Sequence, residues 1–388
     1  MKNKSKLIVI SAVNQIDGGT LRILDDFLDY LNLRDKQNSD RYIALVHRDL
    51  QESFEHKYKN ISFIGYSWPK RSWLLRLIFE NLFCYFIAKK LSVSHWISLH
   101  DLTPKLPKSV VSCVYCHNPS PFHKINFIDF LDIKFVLFVC FYKYVYKLNI
   151  HRNKFVVVQQ KWLKDFFEKS FHVERVYVVP PDNKNKAKKT HVALKKVKTE
   201  AFEEKKVTFI YPCVPRTYKN IELIIQAFNE IKKEMVVTVC YEVILTVDKN
   251  ENLYAKYLHR LSNYNNHIKF VGRLKQEQVL KYYRENAILV FPSRLETWGL
   301  PLSEAKEEGT RILAANLQFV HETLNGYANV DFFEVEDYTS LKDLIVEFLR
   351  SYDVDDDSDA RRVEKQETTV TENSADRWQE QILNYLNT

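Results

Sequence analysis

The stretch Phe291-Pro292-Ser293-Arg294-Leu295-Glu296-Thr297-Trp298-Gly299-Leu300-Pro301-Leu302-Ser303-Glu304-Ala305 decides how the rest of this chain is read. An apolar run ends at Phe291, a loop follows, and Pro301 fits the first position of a helix, where its missing N–H would have no partner anyway. Such a turn leaves backbone N–H groups unbonded around Gly299 and Leu300, and the helix dipole adds positive potential there. The result is an anion site suited to a diphosphate, and a glycine lets a ligand come close to the backbone. Glu296 in the loop and Glu304 in the first helical turn are eight positions apart. Both can point at one ligand, and carboxylates accept hydrogen bonds from vicinal hydroxyls such as those of a ribose or a hexose. Taken singly, Glu304 could simply complement the helix N-terminus and Glu296 could be solvated. The Trp-Gly-Leu-Pro between them favours the ligand.

Short apolar runs alternate with helical patterns on both sides of this stretch. Val207–Tyr211, Val237–Thr246, Ile268–Val271, Ile288–Phe291 and Arg311–Ala315 read as strands, with helices at Ile221–Ile231, Gln276–Arg284 and Leu341–Leu349. The same alternation fills the first half, in strands such as Leu7–Ala12, Tyr42–His47, His95–Ser98, Val110–Tyr115 and Phe155–Val158. Between the halves, residues 182–206 are lysine-rich and lack apolar periodicity, which marks a linker. The acidic run Asp353–Asp359 reads as exposed, and Ser374–Leu386 as a terminal helix with Trp378, Ile382, Tyr385 and Leu386 on one face. The expectation is α/β: two doubly wound Rossmann-like domains facing across a cleft, at 1–181 and 207–370, with 371–388 as a closing helix. Ligands would then sit at the C-terminal ends of the strands.

Composition agrees with that plan. The chain has 388 residues, 46% apolar and 27% charged, which is the balance of a globular protein with room for two cores. Its longest uncharged apolar run, Phe135–Tyr142, is too short to span a bilayer. The apolar run after the basic N-terminus, Leu7–Ile10, is too short for a signal-peptide core, so a cytoplasmic chain is expected. The six cysteines suggest no disulfide framework. The one C-x-x-C, Cys113 and Cys116, lies in a strand pattern that puts the two thiols on opposite faces, and no second pair completes a zinc site. Glycine is scarce: seven, where average usage of about 7% would supply roughly 27. The survivors, Gly18, Gly19, Gly65, Gly272, Gly299, Gly309 and Gly326, should mark backbone that no side chain fits. Residues 1–200 hold 34 Lys+Arg against 18 Asp+Glu and residues 201–388 hold 23 against 31, so the first half carries +16 and points to an anionic partner.

Glu296 and Glu304 spanning Gly299-Leu300-Pro301, followed by Gly309-Thr310, resemble the C-terminal signature of retaining glycosyltransferases of family 4, which have the GT-B fold. Phe270-Val271-Gly272-Arg273-Leu274 is similar to that family's strand and turn bordering the nucleotide base. Pro215-Arg216-Thr217-Tyr218-Lys219-Asn220 resembles its Arg/Lys pair on the sugar-nucleotide diphosphate. Gly18-Gly19 resembles its N-terminal glycine loop, and Tyr115-Cys116-His117-Asn118-Pro119 its histidine segment near the transferred sugar. Three departures stand out. Arg216 and Lys219 are three apart where five is common, Lys306–Glu308 is unusually charged, and Thr297 replaces a common glycine.

The resemblance implies transfer of a sugar from a nucleotide-diphosphate sugar to an acceptor hydroxyl with retention at the anomeric carbon. It places Lys219, Arg216 and the amides at Gly299 and Leu300 on the diphosphate, Glu304 on the ribose, and Glu296 and His117 at the sugar as catalytic candidates. Arg273, Leu274 and Thr297 complete the nucleotide-sugar site with Gly18 and Gly19. No metal is expected, since cationic side chains take its place. His100-Asp101 is a second histidine candidate. The basic, aromatic-rich segments Ser67–Lys90 and Lys124–Lys154 suit an anionic membrane interface, hence a lipid-linked glycan acceptor in bacterial surface-polysaccharide assembly and a peripheral position on the inner face of the cytoplasmic membrane. Ordinary core helices with snorkelling lysines are the alternative for those segments. A hydrolysing epimerase on the same fold follows a different pattern from the paired glutamates. A nucleic-acid partner lacks any zinc-finger, RRM-type or helix-turn-helix signature, and Gly18-Gly19 is not the dinucleotide G-x-G-x-x-G.

Overall fold

The computed structural model describes residues 5–34, 40–181, 206–234, 239–262, 265–354 and 377–388. The linker (Lys206 apart) and the acidic run from 355 onward lie outside the described residues. The chain divides into two compact units, the first comprising 5–122, 139–181 and 377–388 and the second 123–138 and 206–354. Residues 123–138, which read from sequence as part of the N-terminal domain, thus group with the second unit.

The first unit is built on a seven-stranded parallel sheet of β1 (Leu7–Ser11), β2 (Arg41–His47), β3 (Ile61–Tyr66), β4 (His95–Ser98), β5 (Val111–Cys116), β6 (Phe155–Val158) and β7 (Val176–Val178), in the order β3-β2-β1-β4-β5-β6-β7. Every residue of β1 is buried, as expected for a central parallel strand covered on both faces. Cys113 and Cys116 are buried in β5, and burial pushes both thiols up, so neither is a reactive thiolate. The helices are α1 (Gly18–Leu33), α2 (Arg48–Lys57), α3 (Trp73–Ile78), α4 (Cys84–Lys90), α5 (Ile133–Lys147), which begins in the second unit, and α6 (Lys161–Phe171). A π-helical turn, Phe79–Phe83, joins α3 to α4.

The second unit has a six-stranded parallel sheet of β8 (Val207–Tyr211), β9 (Tyr241–Leu245), β10 (Ile268–Phe270), β11 (Ile288–Phe291), β12 (Ile312–Ala315) and β13 (Val330–Phe333), ordered β10-β9-β8-β11-β12-β13. Its helices are α7 (Ile221–Glu234), α8 (Leu253–Leu261), α9 (Gln276–Arg284), α10 (Leu300–Glu307), α11 (Gln318–Thr323) and α12 (Tyr338–Val354). The last helix, α13 (Trp378–Asn387), belongs to the first unit. There Trp378 is buried with its ring centroid 5.4 Å from those of Phe27 and Tyr115, while Tyr385 stacks on Tyr177 at 4.0 Å.

Both sheets reverse strand order once, between β1 and β4 and between β8 and β11. In open α/β sheets, ligands bind in the crevice outside the strand ends at that reversal. The loops leaving β8 and β11 are therefore where the second unit should bind, and they are Pro212–Asn220 and Pro292–Gly299.

Candidate functional site

The two loops of the second unit are bolted together by the residues that connect them. The Arg294 amide donates to the Tyr218 carbonyl at 2.8 Å. The Arg294 guanidinium donates to Glu222 at 2.9 Å, to Glu336 at 2.8 and 3.1 Å and to the Thr217 carbonyl at 3.3 Å. Asn220 adopts a left-handed conformation at φ +55° and its side-chain amide donates to the carbonyls of Pro292 (3.1 Å) and Val335 (2.7 Å). Glu222 also accepts from the buried Tyr254 hydroxyl, which in turn accepts from the Ile221 amide at 3.0 Å. Charge-assisted bonds of this kind hold a loop at fixed geometry more firmly than neutral ones. None of this clamp was visible in the sequence, because Arg294, Glu222 and Glu336 share no motif spacing.

Within that frame Lys219 and Glu296 form an ion pair, with the Ser293 hydroxyl donating to the same carboxylate at 3.2 Å. Burial pushes the Lys219 ammonium down, but the Glu296 carboxylate outweighs it and holds the amine above the ordinary lysine range. It is a fixed positive charge at any working pH. The three-residue offset between Arg216 and Lys219 is accommodated by a 3₁₀ turn at Thr217–Lys219. Arg216 itself is half-exposed and pairs with Asp132 at 3.1 Å, inside the second unit.

Gly299 precedes α10 at φ +76°, a left-handed conformation in which a Cβ would lie 3.0 Å from Leu302 Cδ1. Leu300 is the first helical residue and Pro301 the second, one position later than the sequence suggested. Trp298 is fastened by its indole N–H to the Ser303 hydroxyl at 2.8 Å, while its carbonyl accepts from Thr323 at 2.6 Å. Thr297 is buried beside it. Glu304 is buried in the first turns of α10 and accepts from the Gln276 amide at 2.7 Å, so α9 as well as α10 positions it. The sequence reading did not flag Gln276 as a partner of Glu304.

Arg273 pairs with Glu251 at 2.6 Å, and with Asp248, Asn250 and Gly272 these residues line a cavity of about 440 Å³. Leu274 is half-buried next to Arg273. Among the described residues no group of three or more His, Cys, Asp or Glu is placed to hold a metal ion.

Gly18, Gly19 and His117 lie in the first unit. Gly18 opens α1 at φ +61° and Gly19 is its second residue. At the strand reversal there, His100 Nε2 lies 2.8 Å from the Ser11 hydroxyl. Burial, then the Arg76 charge, push His100 well below the usual histidine range, so it stays neutral. Asp101, at φ +73°, accepts from the amides of His117 (2.7 Å) and Asn118 (3.0 Å) and from the Tyr146 hydroxyl (3.0 Å). The His117 ring nitrogen Nε2 is 3.8 Å from the same carboxylate. Asp101, named in the sequence only within the second candidate His100-Asp101, therefore organises the His117 loop.

Residues 193–368 match the family described as Glycosyl transferases group 1. No curated protein matches by sequence. Among solved structures, sucrose-phosphate synthase from Thermosynechococcus elongatus is similar at 14% identity, with 89% of this chain and 90% of that one covered and a TM-score of 0.64. Anabaena HepE in complex with UDP and glucose is similar at 14% identity over 90% and 91% of the two chains, with a TM-score of 0.59. WaaG, a glycosyltransferase involved in lipopolysaccharide biosynthesis, is similar at 11% identity over 98% and 95%, with a TM-score of 0.58. The fold shared with these proteins is GT-B, two Rossmann-like domains.

Proposed function

We propose that this chain, which carries a glycosyl transferases group 1 domain on a GT-B fold, transfers a sugar from a nucleotide-diphosphate sugar to a glycan hydroxyl with retention at the anomeric carbon. The observation that carries the reading is the Lys219–Glu296 pair held at the β8/β11 reversal, Lys219 in the loop after β8 and Glu296 in the loop that leads into the N-terminus of α10. The departing diphosphate is the charge that must be stabilised. Lys219, Arg216 and the amides of Gly299 and Leu300 supply preorganised positive potential for it. Glu296 holds sugar hydroxyls and Glu304 the ribose, while Arg273 and Leu274 border the base and Thr297 lines the sugar-nucleotide site. In the first unit, His117 and the Gly18-Gly19 turn are assigned to the sugar. As the bond between the anomeric carbon and the phosphate oxygen breaks, that oxygen takes the proton of the acceptor hydroxyl, which bonds to the same face of the carbon. No protein nucleophile or metal is used. HepE's bound UDP makes a uridine donor the first to try. The acceptor in this reading is a lipid-linked glycan of bacterial surface-polysaccharide assembly, met on the cytoplasmic face of the membrane.

The test is a panel of nucleotide sugars with a lipid-linked glycan fraction, with the product's anomeric configuration read by NMR. Acceptor-dependent release of nucleoside diphosphate with retained configuration is expected. Inversion, or hydrolysis indifferent to acceptor, would overturn the proposal.

A further inference from the structure

The helical run Trp73–Lys90 repeats every four residues on two opposite faces. Arg76, Glu80, Cys84 and Ala88 are buried, whereas Leu74, Ile78, Leu82 and Phe86 are exposed, Leu74 at 67% and Phe86 at 57%. A straight α-helix, at 3.6 residues per turn, would rotate a four-residue repeat steadily off its face. The π-helical turn at Phe79–Phe83, with its wider i→i+5 bonding, takes up the extra residue and keeps each stripe aligned. Glu80 in that turn is turned inward, with its carboxylate 2.9 Å from the Arg76 Nε, so the only acid between positions 71 and 90 is removed from the surface.

A second exposed apolar row runs beside the first. Phe141 and Tyr144 in α5 are each 63% exposed, with Leu148 just beyond. The two segments are joined within the first unit by the Trp73 and Tyr142 rings, 5.1 Å apart at their centroids, and by the Asn149 amide donating to Asn81 at 2.9 Å. Residues 133–154 contain no acid at all, and Lys143 and Lys147 flank the apolar row as Lys89 and Lys90 end the other. Monomers rarely leave a contiguous apolar face of this kind unoccupied.

We infer that these two rows form one lipid-docking face that seats the first unit on an anionic bilayer surface. Leu74, Leu82, Phe86, Phe141 and Tyr144 enter the headgroup boundary, and the lysines engage lipid phosphates. The choice of a bilayer over a protein partner rests on charge. The two segments expose no acid and are basic-rimmed, which complements an anionic sheet of headgroups and would repel the same segments of a second copy. This deepens the membrane element of the proposed function and rests on it for the acceptor. Among the described residues no helix is long and apolar enough to cross a membrane, so attachment through this face would be interfacial.

The experiment is co-sedimentation of the full chain with phosphatidylcholine vesicles with and without phosphatidylglycerol. Wild type, a Phe86→Glu/Phe141→Glu variant and a variant with Lys89, Lys90, Lys143 and Lys147 changed to Gln are compared. Wild type should partition onto the anionic vesicles only, and less as salt rises. Each lysine removed should lower the partition coefficient about fivefold, and the double Glu variant should not sediment. UDP binding by the same proteins separates the two proposals. Intact nucleotide binding with lost sedimentation supports the face, and lost nucleotide binding in wild type strikes the transferase reading alone. Equal binding of wild type to neutral and anionic vesicles, a dimer that the Glu variant abolishes, or capture of single-stranded DNA in preference to vesicles would overturn the lipid assignment.

Discussion

Removing either partner of the Lys219–Glu296 pair should move nucleotide affinity in opposite directions. The side chains are 13% and 18% exposed, so water screens the pair only partly. A unit charge about 4 Å from a phosphate oxygen is worth roughly 1 kcal/mol in water and roughly 4 kcal/mol at an effective dielectric of 20. Lys219→Met deletes that attraction and leaves the Glu296 carboxylate facing the diphosphate. Affinity for a nucleoside diphosphate should fall between about 5-fold and 1,000-fold. Glu296→Gln leaves the ammonium uncompensated, so diphosphate affinity should hold or rise while sugar transfer falls by about 10²-fold or more. Both variants lose some stability, of order 1–3 kcal/mol once a buried-pair penalty is discounted for exposure. Titration calorimetry with UDP, together with transfer rates and urea denaturation to confirm folding, would read all three quantities. Unchanged UDP affinity in folded Lys219→Met would refute the reasoning, as would equal weakening in both variants.

Three further outcomes follow from particular contacts. Gly299→Ala forces a side chain into a left-handed conformation against Leu302, so it should cost about 1–2 kcal/mol in urea unfolding and weaken nucleotide binding; a variant with wild-type stability and affinity would contradict the geometry. Trp378→Ala empties the contact with Phe27 and Tyr115 and should destabilise by about 3–5 kcal/mol, whereas a loss below about 1 kcal/mol would mean that α13 contributes little. His100 is held neutral in the folded chain but takes a proton when unfolded below about pH 6.5. Its stabilising contribution is therefore intact above that pH and is lost as pH falls, at up to about 1.4 kcal/mol per pH unit. Unfolding measured at pH 7.5 and 5.5 should show a steeper loss in wild type than in His100→Gln; equal slopes would place His100 in contact with solvent.

The doubly wound plan was legible because strands buried on both faces are written as continuous apolar runs, such as Leu7–Ile10 and Ile288–Phe291. The scarcity of glycine was equally informative. Five of the seven adopt positive φ, and at Gly65 a Cβ would lie 2.9 Å from the Arg48 backbone and even closer to the Gln51 side chain. What the sequence hid is mostly long-range. β13, Val330–Phe333, carries an aspartate and is a half-buried edge strand, so it lacks the apolar signature. The Arg294 clamp joins residues 42 and 72 positions away. The π-turn at Phe79–Phe83 depends on which face of the helix packs, and periodicity calculated at 3.6 cannot reveal it. The pairing of Glu296 with Lys219 is also invisible in the sequence, where the two lie 77 positions apart.

A thermal-shift panel of UDP, GDP, ADP and CMP on wild type and Glu304→Ala tests the donor site most directly. A nucleotide at 100 times its dissociation constant should stabilise wild type by about 2.7 kcal/mol. The account predicts a shift with one base, reduced or abolished in Glu304→Ala. Absence of a shift with every nucleotide in wild type, or an equal shift in the variant, would contradict it.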